Sequence, residues 1–123
     1  MSQDQDQFQP ITITRDGQPP LKFSGQEITS ASNSVAHGQQ QNRWTEVSIY
    51  RTRGGKIVLK VTHRTIWQGE SNHTLATSVA TAAEAIEWLK LDDGRIGGVA
   101  QEALHNASKS DPEFAAAYAE NVE

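Results

Sequence analysis

Between residues 43 and 66 apolar and polar positions alternate in two runs, Arg43–Arg53 and Lys56–Ile66, separated by Gly54-Gly55. Both runs are rich in β-branched and aromatic residues, and a Gly-Gly pair suits the tight turns whose twist matches that of paired strands, so the pattern predicts a β-hairpin. With Gly54 and Gly55 as a two-residue loop, Arg53 stands opposite Lys56, Tyr50 opposite Leu59 and Trp44 opposite Thr65. One face then carries Trp44, Tyr50, Ile57, Leu59, Val61 and Trp67. The other carries Arg43, Arg51, Arg53, Lys56, Lys60 and Arg64 around Val47, Ile49 and Val58.

Upstream, residues 1–7 are polar and aperiodic and are expected to be disordered. Ile11 and Ile13 alternate with threonines in a short strand that Asp16-Gly17 ends, and Pro19 and Pro20 place that strand and its turn at a sheet edge. The alternation resumes at Leu21-Lys-Phe23-Ser-Gly25 and extends toward Ile28. Residues 29–42 are dominated by Ser, Gln and Asn, with almost nothing to bury, and read as a mobile loop. Downstream, Leu75, Thr77 and Val79 suggest another strand. Thr81-Ala-Ala-Glu84 is a capping box that opens a helix through Ala85, Ile86 and Leu89. Asp92-Asp93-Gly94 stops it.

A second helix is predicted over Val99–Asn106. A third begins at Ser110-Asp111-Pro112-Glu113, with Phe114, Tyr118 and Val122 along one side. Strands followed by helices predict an α+β fold: an antiparallel sheet of four to five strands, then two to three helices packed on one face, in a single domain over 8–123. The apolar stripe of the last helix needs cover from its own sheet or a second copy, so the chain is expected to be a monomer or a homodimer.

Composition narrows the chemistry. There is no cysteine, hence no disulfide or thiolate chemistry, and no apolar run approaches the ~20 residues of a membrane span. The start Met-Ser-Gln-Asp-Gln-Asp lacks a signal-peptide pattern, so a cytoplasmic location is expected. The net charge of −4 conceals a division. Residues 43–64 hold six basic side chains against Glu46, a net +5, while residues 84–123 hold nine acids against three bases, a net −6.

Among residues able to do chemistry, His63 falls opposite Glu46 in the predicted hairpin, an arrangement that could poise a proton acceptor but is more often a structural cross-strand pair. His37, His73 and His105 show no metal-ligand spacing, Asp92-Asp93-Gly94 lacks the ligand pattern of a calcium loop, and no phosphate-binding or nucleophile motif occurs. No cofactor or metal is therefore expected. The basic face remains, suited to an anionic macromolecule, either an acidic protein surface or nucleic acid. It carries no aromatic side chain on which to stack a base.

The order Leu21-Lys-Phe-Ser-Gly25, Ile49-Tyr-Arg-Thr-Arg-Gly-Gly-Lys-Ile-Val-Leu59 and a capped helix resembles the EXLDI proteins, small bacterial proteins of unknown function. The likeness covers about half of the chain and rests mainly on the Tyr-Arg-Thr-x-Gly-Gly-Lys stretch. The chain departs from the family in having no Glu-x-Leu-Asp-Ile near its end, and its N-terminus is short for a DNA-binding arm. The resemblance implies a bacterial or phage origin and supplies no activity. The resulting expectation is a non-enzymatic binding or inhibitor module from a mobile element or phage. It would dock an anionic partner through Arg43, Arg51, Arg53, Lys56, Lys60 and Arg64. The alternatives are a nucleic-acid or nucleotide binder, or a small enzyme using His63 and Glu46.

Overall fold

A computed structural model describes residues 8–36 and 38–119; residues 1–7, His37 and residues 120–123, with Val122, lie outside that description. Five antiparallel strands form one sheet in the order β1 (Gln9–Arg15), β2 (Gln18–Ser32), β5 (Arg43–Thr52), β6 (Ile57–Thr65), β7 (His73–Val79). A two-stranded ribbon of β3 (Val35–Ala36) and β4 (Gln39–Gln40) lies beside it, and three helices follow: α1 (Ala82–Leu89), α2 (Gly98–Ser110) and α3 (Pro112–Ala117). The α+β class and the strands-then-helices order agree with the sequence pattern. Among the described residues, no helix is long and apolar enough to cross a membrane.

The hairpin forms with a register one residue away from the expected one. Tyr50 faces Val58 and Trp44 faces Arg64. The cause lies in the turn. A two-residue type I′ loop would need positive φ at both glycines, but among glycines 54 and 55 only Gly55 takes it, at φ +89°. Arg53, Gly54 and Gly55 instead make a longer turn, in which Thr52 N–H donates to Lys56 O (2.8 Å), Gly55 N–H to Thr52 O (3.0 Å) and Lys56 N–H to the Thr52 hydroxyl (2.9 Å). A shift of one residue turns every side chain of one strand to the other face. Val47 and Ile49 are therefore buried beside Ile57 and Leu59, Tyr50 lies on the opposite face, and Trp67 is 50% exposed, which corrects both expected faces.

β2 is long enough to serve two partners. Its first half pairs with β1 and its second half with β5, and Gly25 pairs with Gln9 on one side and Thr52 on the other. A Cβ at Gly25 would meet the Phe23 ring at 2.5 Å and Arg51 O at 3.2 Å, so this corner requires glycine. A bulge between Glu27 and Thr29 then turns Ile28 and Thr29 toward the helices. Residues 29–42 are consequently not one loop. Thr29 to Ser32 extend the ladder against Glu46 to Ile49, and β3 and β4 form within the remainder. Side chains with little to bury predict a loop here, whereas the backbone hydrogen bonds offered by β5 form a strand.

The sheet curls until its edges meet: Asp16 N–H donates to Thr74 O (3.2 Å) and the Arg15 guanidinium to Ala76 O (3.3 Å). Inside the curl Ile13, Val58 and Ala76 are buried, and Phe23 meets Tyr50 edge-on at 5.7 Å. The outer side carries the main core, where alanines of α1 and α2 let the helices approach Val47, Ile49, Ile57 and Leu59 closely. Thr81 caps α1 by accepting from Glu84 N–H (3.2 Å), and α3 inserts Phe114, which is 0% exposed. The described part of the C-terminal stripe, Phe114 and Tyr118, thus packs on its own sheet and helices. Replacing Phe114 with Ala should remove about 3–5 kcal/mol of stability. Chemical denaturation would then show a lower midpoint with an unchanged m-value.

Candidate functional site

The register decides where the six predicted docking cations go. Arg43 and Arg51 stand on the side of Val47, while Lys60 and Arg64 stand on the inner side with Tyr50 and Val58. Arg53 and Lys56 sit at the turn. They do not share one face.

Among the described residues, carboxylates of the chain itself engage Arg43, Arg64 and Arg51. Arg43 grips Glu70 with both ends of its fork (3.0 and 2.7 Å) and lies 5.6 Å from the Trp67 ring. The Arg43 hydrogen bond, helped by the Thr65 hydroxyl, pulls Glu70 down to about 2. Arg64 donates to Glu46 at 2.7 Å, and the Trp44 indole N–H reaches the same carboxylate at 3.0 Å.

Arg51 has a third role. Its Nη2 donates to Asp111 (2.8 Å) and its Nη1 to Glu113 (3.0 Å), joining β5 to the start of α3. Asp111 also caps α3 by accepting from Glu113 N–H (2.9 Å) and Phe114 N–H (3.2 Å), while Glu113 accepts from Ala82 N–H (2.6 Å) at the start of α1. Burial opposes the charge on both Arg51 and Asp111 and is the largest single influence on each, but the opposing contacts together outweigh it: Asp111 and Glu113 raise Arg51, and Arg51 with the Phe114 and Glu113 backbone N–H groups lowers Asp111. This guanidinium ties together the elements that the sequence separated into a basic half and an acidic half.

The His63 and Glu46 pair does not form. His63 faces Thr45, whose hydroxyl lies 3.2 Å from Nδ1, and Glu46 faces Thr62 on the other side of the sheet. The same one-residue shift accounts for this.

What the fold does bring together is Lys22, Arg53 and Lys56. They line a cavity of about 480 Å³ at the hairpin-turn end of the curled sheet, above Leu21, Phe23 and Val58. The hydroxyl residues Ser24, Thr52 and Ser78 complete the wall, and none of the described lining residues is acidic. Arg53 N–H donates to Ser24 O (2.8 Å), and its guanidinium lies 5.8 Å from the Phe8 ring, so backbone and side chain are both positioned. Sequence reasoning included Arg53 and Lys56 but missed Lys22. Its alternation between Leu21 and Phe23 was visible, whereas its approach to the turn follows from the pairing of Gly25 with Thr52.

No family model, curated protein or solved structure matches this chain.

The Arg51 cluster carries a pH dependence whose sign follows from its geometry. Asp111 is held below its ordinary value, so its contribution is present above the unfolded pKa of about 3.9 and is lost as pH falls through the lower folded value. Asp111→Ala also removes a helix cap and should cost about 2–3 kcal/mol near neutrality. Urea titrations from neutral pH down to about pH 2 should show this deficit shrinking below about pH 4.

Proposed function

We propose that the chain is a non-enzymatic binding module that docks an acidic protein segment at the mouth formed by Lys22, Arg53 and Lys56. The observation that carries this reading is that three cationic residues line one concavity with no acid in its described lining, in a chain of net charge −4. An arginine fork matches a carboxylate in geometry, and the two lysines add compact point charges. The apolar floor of Phe23 and Val58 excludes water from part of the contact, which strengthens each charge interaction relative to an open surface.

Three of the other expected docking residues are engaged within the fold instead. Arg43, Arg51 and Arg64 hold strands and helices in place through Glu70, Asp111, Glu113 and Glu46. A short acidic segment suits three charges around one opening. Nucleic acid favours a longer basic track with exposed stacking rings, and Phe23 is already packed edge-on against Tyr50.

Fluorescence anisotropy with a labelled oligoglutamate peptide, beside single- and double-stranded oligonucleotides of equal charge, tests this reading. The peptide should bind, and Lys22→Glu, Arg53→Glu and Lys56→Glu together should abolish binding while leaving the thermal melt nearly unchanged. Binding of oligonucleotide alone, with a log–log salt slope of about one per phosphate contacted, would move the assignment to nucleic acid. Undiminished peptide binding by the triple variant would remove the mouth as the site.

A further inference from the structure

Away from the cationic mouth, the helices and the sheet part to leave a second concavity. The strand register aligns Ala31, Val47, Val61 and Leu75 in one row across β2, β5, β6 and β7, and Thr45, His63 and His73 in a neighbouring row. Cover fails along the apolar row: Val47 is 2% exposed, whereas Leu75 is 51% exposed. The gap is a cleft of about 600 Å³. That size lies within the roughly 300–1,000 Å³ of small-molecule sites.

Val61 and Leu75 form its floor, and Trp88 and Leu89 of α1 form its wall. Leu91 overhangs it from a tight turn held by Leu91 N–H to Arg95 O (2.7 Å) and Gly94 N–H to Leu91 O (2.9 Å). That turn keeps Leu91 54% exposed beside the opening.

The polar groups of the cleft point to one kind of ligand. Its described lining holds no carboxylate and one charged side chain, Lys90, whose ammonium also meets Glu87 at 2.8 Å. Glu87 is itself 70% exposed, so it leaves Lys90 open to a second anion. At the rim Asn33 Oδ1 accepts from Thr45 N–H (2.8 Å), and His63 Nδ1 meets the Thr45 hydroxyl (3.2 Å). Those contacts turn the Asn33 amide N–H₂ and the second His63 nitrogen to other partners. A ligand with an apolar body and a hydrogen-bond-accepting anionic head complements this set, its body covering the apolar floor and wall and its head adding an anion beside Lys90 and an acceptor for the rim groups.

We propose that this cleft binds a small apolar carboxylate, its hydrocarbon body against Val61, Leu75, Trp88 and Leu91 and its carboxylate toward Lys90. The site is separate from the cationic mouth and does not depend on that reading.

Decanoate is the test ligand and decanol its uncharged counterpart. Trp88 serves as the reporter in a Trp44→Phe/Trp67→Phe background, since neither replaced ring lines the cleft. Decanoate should produce a saturable change in Trp88 emission. Decanol, and decanoate with Lys90→Gln, should bind about tenfold more weakly or worse, as expected for loss of one charge-assisted contact. Leu75→Glu, at a half-exposed position that tolerates a polar side chain, should abolish binding with the circular dichroism spectrum unchanged. Reversing Lys22, Arg53 and Lys56 should leave decanoate binding intact. The proposal is overturned if decanoate gives no saturable change, if decanol binds as tightly, if Leu75→Glu binds normally, or if reversal of the mouth cations weakens decanoate.

Discussion

The left-handed backbone of Gly55, with the Thr52 hydroxyl receiving Lys56 N–H, determines the register of the central hairpin. Everything outward depends on that register. It turns Val47, Ile49, Ile57 and Leu59 toward the helices, and Tyr50 and Val58 into the curl of the sheet. Had the turn closed one residue shorter, these apolar residues would be divided differently between the two faces, and the helices would lack a continuous surface on which to pack.

The charge division along the chain acquires a physical meaning in this fold. Arg51 comes from the basic half, Asp111 and Glu113 from the acidic half, and their contact closes the helical layer over the sheet. Exposed ion pairs ordinarily contribute little. This one differs because Asp111 also caps α3, Glu113 also binds the first turn of α1, and the Arg51 and Asp111 side chains are only 22% and 15% exposed. The Arg43–Glu70 pair is more exposed and acts locally, bracing the connection from β6 to β7.

Curling of the sheet shapes both concavities. Bending β2 at Gly25 allows β1 to fold back toward β7, which carries Lys22 to the hairpin turn and forms the cationic mouth. The helices then settle over the middle of the outer face and leave Leu75 and its neighbours at the cleft. Both openings have no acid in their described linings, although acids outnumber bases in the chain. The two linings differ in kind: Lys22, Arg53 and Lys56 line one, while Lys90 stands among mostly apolar residues in the other.

Local signals in the sequence determined the elements. Alternation marked the strands, the Thr81/Glu84 box and Asp111-Pro112 marked helix starts, and the order of strands before helices determined the α+β class. The end of β2 was not legible, because Thr29 to Ser32 join the sheet through backbone bonds to β5 rather than through any apolar pattern of their own. The site was legible in part: Arg53 and Lys56 stand near each other in sequence, so their proximity could be read. Lys22 reaches them through a long-range pairing that carries no local mark. The partners of Arg43, Arg51 and Arg64 lay equally out of sight, since a one-residue difference in a turn reassigns every face and nothing in two adjacent glycines says which will take the left-handed conformation. Tertiary structure decided that point because the favoured register is the one that lets both faces of the hairpin bury their apolar side chains at once.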